Sequence, residues 1–202
     1  MSVTAQRRPF TIVLPAGWSR VPVGPGASSA IRAILDRAVA GVDDARAVRV
    51  RRRLQELLHQ QVKAAEAQSG VELYLPTEQV HGVSVPASVV VSVPELGMDA
   101  DPMDVLLAVA ARRRGAEVLD VGGKPAVRAE HRQEPANLGE DLAEVEAAVR
   151  QVVYFLADPE DRGRFVVMSA SVLESTAEGG ADVADAVTDL VDAMVSTFRW
   201  AG

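Results

Sequence analysis

Three histidines, four helix-spaced aspartates and one arginine run are the residues whose type and spacing could support chemistry. His59, His81 and His131 are the only histidines in the chain. None stands in a two-histidine helical spacing, and there is no H-E-x-x-H pattern to hold zinc. No G-x-S-x-G turn is present to expose a nucleophilic serine. An enzyme built from this chain would therefore need a dispersed site. His81 beside Glu78, or His131 beside Glu130, is the acid/base pairing it would use.

Asp182, Asp185, Asp189 and Asp192 recur at helical spacing near the end of the chain. Helix-spaced carboxylates bind metal only with further ligands, and the nearest histidine in sequence is His131. The expected reading is a solvated helix face that also sets negative charge near a helix N-terminus. Arg46, Arg49, Arg51, Arg52 and Arg53 form the opposite charge run. At 100° per residue, Arg49, Arg52 and Arg53 fall away from the stripe Leu54, Leu57 and Leu58, and Arg52 can pair with Glu56 one turn on. A basic run of this kind is a solvated face unless a partner uses it. Gly122-Gly-Lys124 ends in Pro125 where a phosphate loop needs Ser or Thr, so it reads as a turn. Gly24-Pro-Gly26 lacks the third glycine of a dinucleotide fingerprint. No cofactor or metal is expected.

The totals narrow the class. The chain has 202 residues, 48% hydrophobic and 24% charged, which is globular composition sized for a single domain spanning 1–202. The absence of cysteine excludes disulfides, thiolate metal sites and a cysteine nucleophile. A net charge of −7 weighs against nucleic acid as a partner. Lys63 and Lys124 are the only lysines, a bias expected of a GC-rich bacterial genome. The apolar patch Phe10–Leu14 is shorter than the roughly 7–15 residues of a signal peptide. No apolar run approaches the roughly 18 residues of a membrane span. The expected setting is cytoplasmic.

Elements follow from periodicity. Phe10–Leu14 reads as a strand ended by Pro15-Ala-Gly-Trp18, with Trp18 on the rim of the core and its N–H in need of a partner. Val21–Ala27 reads as a linker. Ser28 or Ser29 caps a helix striped with Ile31, Ile34, Leu35, Ala38 and Val39. A second helix starts at Asp43 or Asp44 and ends near Gly70, placed as its C-terminal cap. Val71–Leu75 and Val83–Val93 are strands. Asp99–Pro102 opens a helix that buries Met103, Leu106, Leu107 and Ala110 and stops at Gly115. Glu117–Val121 and Ala126–Gln133 form a hairpin. Glu144–Val149 fits either a helix or the start of the next strand. Gln151–Ala157 and Arg164–Leu173 pair across the turn Asp158–Gly163. Val183, Val187, Leu190, Val191, Met194, Val195 and Phe198 then mark one face of a closing helix that needs a sheet to lie on. Sequential strands joined by short turns make the fold class α+β, with a mostly antiparallel sheet of about six or seven strands covered by helices.

Three patterns together carry a family resemblance. Phe10-Thr-Ile-Val-Leu-Pro-Ala-Gly-Trp18 resembles the strand and Leu-Pro-x-Gly-Trp opening of Mog/PsbP-like domains. The closing hairpin and helix ending Asp192-Ala-Met-Val-Ser-Thr-Phe-Arg-Trp200 resemble their end, and Lys124-Pro-Ala-Val-Arg128 resembles a middle strand. The resemblance implies an α/β/α sandwich, of an uncharacterised bacterial branch, with residues 28–69 as a helical elaboration. It implies little about activity, because members range from photosystem subunits to a Ran-binding factor, and it carries over no functional residue.

The expected function is a non-catalytic protein-binding or accessory factor, of the kind that serves bacterial secretion or toxin–immunity systems. Its candidate partner-binding residues are Arg46, Arg49, Arg52 and Arg53 on the helical elaboration, and Glu78 and His81 on the following loop. The alternatives are the dispersed His/Glu enzyme and a small-molecule or lipid carrier with a cavity between the sheet and the 28–69 helices.

Overall fold

A computed structural model of the chain describes residues 10–38, 44–78, 85–97, 100–133, 147–161 and 164–201. At its centre lie β7 (Ala147–Ala157) and β8 (Phe165–Ser175), paired antiparallel over their full length from Ala147↔Ser175 to Ala157↔Phe165. The segment between them turns at Asp158, as the Asp/Pro/Gly composition requires. Around this hairpin the main sheet adds β2 (Trp18–Pro22), β3 (Gly70–Pro76) and β4 (Ala87–Ser92) on one side. On the other side it adds β6 (Lys124–Gln133) and β5 (Glu117–Val121). The order is β2-β3-β4-β8-β7-β6-β5, seven strands, every neighbour antiparallel. The α+β sheet expected from the pattern is present.

Helices cover both faces, completing the α/β/α sandwich. The pairing register places Leu73, Val90, Ser169, Val153 and Ala129 on one face, and Tyr74, Val89, Ala170, Val152 and Glu130 on the other. On the first face α1 (Ala27–Ala38) and α2 (Asp44–Ala67) pack Ile31, Ile34, Leu35 and Val62 against Val21, Leu73 and Leu75. On the same face, at the other end, α3 (Pro102–Arg112) sets Leu106 against Val127, Val153, Phe155 and Phe165. The second face receives α4 (Gly180–Ser196), whose Val191, Met194 and Val195 pack with Tyr154, Val152 and Met168. Each such side chain, buried, contributes roughly 1.5–3 kcal/mol as an upper estimate.

The two ends of the chain close on each other. β1 (Phe10–Thr11) pairs with β9 (Arg199–Trp200), and Phe10 stacks on Phe198 at 5.2 Å between ring centres. The first strand is therefore shorter than Phe10–Leu14, and its partner is the last two-residue strand.

Several local expectations change. The stretch read as a linker from Val21 is the end of β2, paired with β3 through Val21↔Leu73. Trp18 sits inside the core, 8% exposed, and its indole N–H meets no acceptor among the described residues. Gly70 opens β3, and Ser69, at φ 56°, is the left-handed residue that ends α2. Asp101 is the N-cap of α3, its side chain accepting from the Met103 N–H, with Pro102 in the first turn. Leu107 is 61% exposed, one residue off the buried stripe of α3. Glu144–Glu146 lie outside the described residues, and from Ala147 the chain is strand.

The β5–β6 turn is a two-residue connection between Val121 and Lys124, with Gly122 at φ 65° and Gly123 at φ 79°. Both values are left-handed, the type I′ geometry that fits a twisted hairpin. A Cβ on Gly123 would meet nothing within 4 Å, whereas one on Gly122 would come within 2.9 Å of the Phe198 carbonyl oxygen. Gly123→Ala is expected to cost about 1–2 kcal/mol from the left-handed conformation alone. Gly122→Ala is expected to cost clearly more, because backbone must move as well. Urea denaturation of the two variants measures the difference, and equal losses would contradict the close approach.

Candidate binding groove and the charge ladder behind it

α1 and α2 cover one end of their sheet face and α3 covers the other. Beside α2, over the sheet, a groove of about 670 Å³ remains open. Ile34 from α1 and Leu54, Leu57 and Leu58 from α2 form its helical wall. The positions 54, 57, 58 and 61 are one helical stripe, and this stripe meets the groove where the sheet does not reach it. Leu75, Val85 and Leu173 form the opposite wall, with Leu57 at 38% and Leu173 at 40% exposure.

The floor is polar. Ser88, Gln151 and Ser171 line it, with Gln61, Thr77 and Gln133 at its margins. Gln151 Nε2 donates to Ser171 Oγ at 2.9 Å, and Ser169 Oγ donates to Gln151 Oε1 at 3.3 Å. None of the described lining residues is ionisable, although 24% of the chain is charged.

The opposite face carries the charge. Arg128 Nε donates to Asp192 Oδ1 at 2.9 Å, and its Nη2 to Glu130 Oε2 at 2.8 Å. The Tyr154 hydroxyl also donates to Asp192 Oδ1. Arg150 reaches Glu130 at 3.7 Å and Glu174 at 3.3 Å, and donates to Asp185. Arg132 completes the row by pairing with Glu174 at 2.7 Å. Asp185 and Asp192, two turns apart on α4, are thus tied to two arginines that point up from the sheet. The solvated-face reading fails for Asp192, which is half-buried against Arg128 and Tyr154; Asp185 stays exposed while bonded to Arg150. Strand alternation places Arg128, Glu130 and Arg132 on one face, in line with the α4 aspartates.

Burial, reinforced by donation to Asp192, pushes the Tyr154 hydroxyl well above the ordinary tyrosine value. Burial opposes the charge of Arg128, but its bonds to Asp192 and Glu130 outweigh it and hold the guanidinium above its ordinary value. Tyr154 is thus a fixed hydrogen-bond donor, and the row is a clasp for α4. A smaller cluster secures the β7–β8 turn: Asp158, 4% exposed, lies 3.2 Å from Lys124 Nζ and 3.4 Å from Arg164 Nη1. Burial opposes its charge, yet the Glu160 N–H and Lys124 more than compensate and lower its pKa.

The residues expected to bind a partner divide as follows. Arg52 lies on α2 with an 83% exposed side chain and pairs with Glu56 at 3.2 Å. Arg46, Arg49 and Arg53 fall within the backbone of α2, and their side chains lie outside the described residues. Glu78 is exposed just past β3, and its N–H donates to the Gly17 carbonyl. His81 lies outside the described residues. His131 and Glu130 are consecutive in β6, so they point to opposite faces, and Glu130 is bonded to Arg128. That pairing cannot serve as one acid/base site. His59 is held by the Gln55 carbonyl on α2 at 2.7 Å. Among the described residues no group of three or more His, Cys, Asp or Glu could hold a metal. No helix among them is long and apolar enough to cross a membrane.

The groove floor was missed from sequence, yet a signal for it exists. In β8 the residues sharing one face are Phe165, Val167, Ser169, Ser171 and Leu173. A central strand whose face turns from aromatic to serine is a strand that helices cover only in part.

No family model matches the chain, and no curated protein matches it. Among solved structures, the Ran-binding protein Mog1p of Saccharomyces cerevisiae is similar at 18% identity and a TM-score of 0.38, covering 64% of this chain and 78% of that one. A mutant form of Mog1 gives 17% identity, the same coverage and the same TM-score.

Two outcomes follow from the clasp and the turn. Asp192→Ala leaves the buried Tyr154 hydroxyl without this acceptor and is expected to cost about 1–3 kcal/mol. Tyr154→Phe removes the hydroxyl itself and is expected to cost less, about 1 kcal/mol, both read by urea denaturation. Asp158 has a folded-state pKa below its unfolded value of about 3.9. Its contribution is therefore fully present above that pH and lost as pH falls through the lower folded value. Asp158→Asn is expected to flatten part of the acid limb of stability measured between pH 5 and pH 2.

Proposed function

We propose that this chain is a non-catalytic accessory factor that binds another protein. The observation that carries the reading is α2. This helix of 24 residues packs Leu54, Leu58, Val62 and Ala65 inward, while Val48, Arg52, Gln55, Glu56, His59 and Gln60 are exposed among its described side chains. Of these, Val48 is 69% exposed, one turn from the exposed Arg52. An apolar side chain among arginines suits a partner better than it suits water.

The charged groups with defined geometry also favour this reading, because they close on one another. The α4 clasp and the Asp158 cluster use their carboxylates to hold elements in place. The partner surface we assign is Arg46, Arg49, Arg52 and Arg53 on α2, with Glu78 and His81 beyond β3. The complementary partner would carry carboxylates opposite the arginine run. A cytoplasmic setting in a bacterium belongs to the same reading.

A photo-crosslinking residue at Gln55, which is exposed on α2 beside Arg52, tests it in the native cells. One discrete protein adduct is expected, reduced about tenfold by Arg49→Glu with Arg52→Glu, at unchanged thermal stability. A tenfold loss corresponds to about 1.4 kcal/mol of binding. Adducts that charge reversal leaves unchanged, or no protein adduct, would overturn the reading.

A further inference from the structure

We infer that the groove between α2 and the sheet is a binding site for a small, uncharged, amphipathic molecule: an aliphatic body carrying a neutral hydroxyl, ester or amide head. This site is separate from the outer arginine face of α2 and does not depend on it. Three observations point to the occupant.

The first is size and enclosure. A volume of about 670 Å³ lies within the range of roughly 300–1,000 Å³ that small-molecule sites occupy. It is lined by α1 and α2 on one side and by residues of β3, β4, β6, β7 and β8 on the other.

The second is charge. A carboxylate, phosphate or ammonium brought into this groove would meet no opposite charge among the described lining residues. From those residues it would gain no ion pair to offset the water it loses, a cost that a neutral head avoids. The arginines of the charge row lie on the other sheet face, paired with Glu130, Glu174, Asp185 and Asp192.

The third is the floor. Gln151 uses one of its two N–H donors on Ser171 and accepts one bond from Ser169. A primary amide has a second donor and a second lone pair, and Ser171, acting as an acceptor, keeps its own O–H to donate. The floor thus offers donors and acceptors side by side, fixed in place by their mutual bonds. The leucines of α2 and Leu173 stand on either side to take an aliphatic chain. A hydroxyl or carbonyl on the ligand would complete the set at Gln151 and Ser171.

The test uses the full chain and Nile red, a neutral solvatochromic dye. Titration is expected to give a saturable blue-shifted emission at one dye per chain. Leu57→Arg and Leu173→Arg, each at a wall position already more than a third exposed, should each weaken dye binding at least tenfold while leaving the melting temperature within a few degrees. Two separate walls are probed so that a folding defect in one variant leaves the other informative. Displacement is then compared for a monoacylglycerol and the fatty acid of equal chain length at pH 8. The neutral lipid should displace the dye at least tenfold better than the carboxylate. Absent dye binding, binding that both arginine variants retain, or a carboxylate that competes as well as the neutral lipid would each overturn the inference. A dye site that persists after Arg49→Glu with Arg52→Glu confirms its independence from the partner surface, and its loss there would contradict it.

Discussion

The rest of the structure depends on the register between β7 and β8. These are central strands, each bonded on both edges, and every side chain on them must face one helical layer or the other. The pairing Val153↔Ser169 sends both residues to the α1/α2/α3 face, and Val152↔Ala170 sends both to the α4 face. A slip of one residue would place Gln151, Ser169 and Ser171 under α4, and Tyr154 and Met168 in the groove. The hydrophobic cost forbids it, since β-strand register inverts every side chain when it moves by one. The Asp158 cluster at the turn fixes the same register from its end, with Lys124 drawing in β6.

The two faces of that hairpin are finished differently. Under α4 apolar contact gives way to charge: Tyr154, Asp192, Arg128, Glu130 and Arg150 form an unbroken row, beside a smaller hollow of about 330 Å³ that Arg128, Tyr154 and Asp192 help to line. Partly buried ion pairs are weak sources of net stability, because each charge gives up water. What they impose is position, since a rotated α4 would take Asp192 from Arg128 and Tyr154 and Asp185 from Arg150, leaving the arginines only their strand carboxylates. On the other face the helices stop short of each other. The sheet there changes from valine and phenylalanine to serine and glutamine, residues that tolerate water and can bond a guest. The groove exists where α1 and α2 end their cover and the sheet residues Ser88, Gln151 and Ser171 are left beside them.

Much of this was legible in the chain. The 3.6-residue stripe from Val187 to Val195, the alternation in β7 and β8, and the Gly122-Gly123 turn each specify one structure by local pattern. β2 was hidden because Pro22, Gly24, Pro25 and Gly26 dominate the reading of its neighbourhood, and its pairing with β3 is a long-range fact. The pairing of Asp185 and Asp192 was hidden because helical spacing says which residues share a face and nothing of what faces them. Arg128 and Arg150 lie 64 and 35 positions before Asp192 and Asp185, so only the folded sheet brings them together. The groove was open as a possibility in the 28–69 helices, but its floor is assembled from β4, β7 and β8.

The account turns on one division: the α4 face is held by a row of paired charges, and the larger groove lies on the opposite face. A double-mutant cycle on Arg128 and Asp192, with each residue changed to Ala singly and together and stability read by urea denaturation, tests it most directly. The predicted result is a coupling of about 1–3 kcal/mol with an unchanged dependence on urea. A coupling near zero would contradict it, since the row would then hold nothing and its charges would be free for another task.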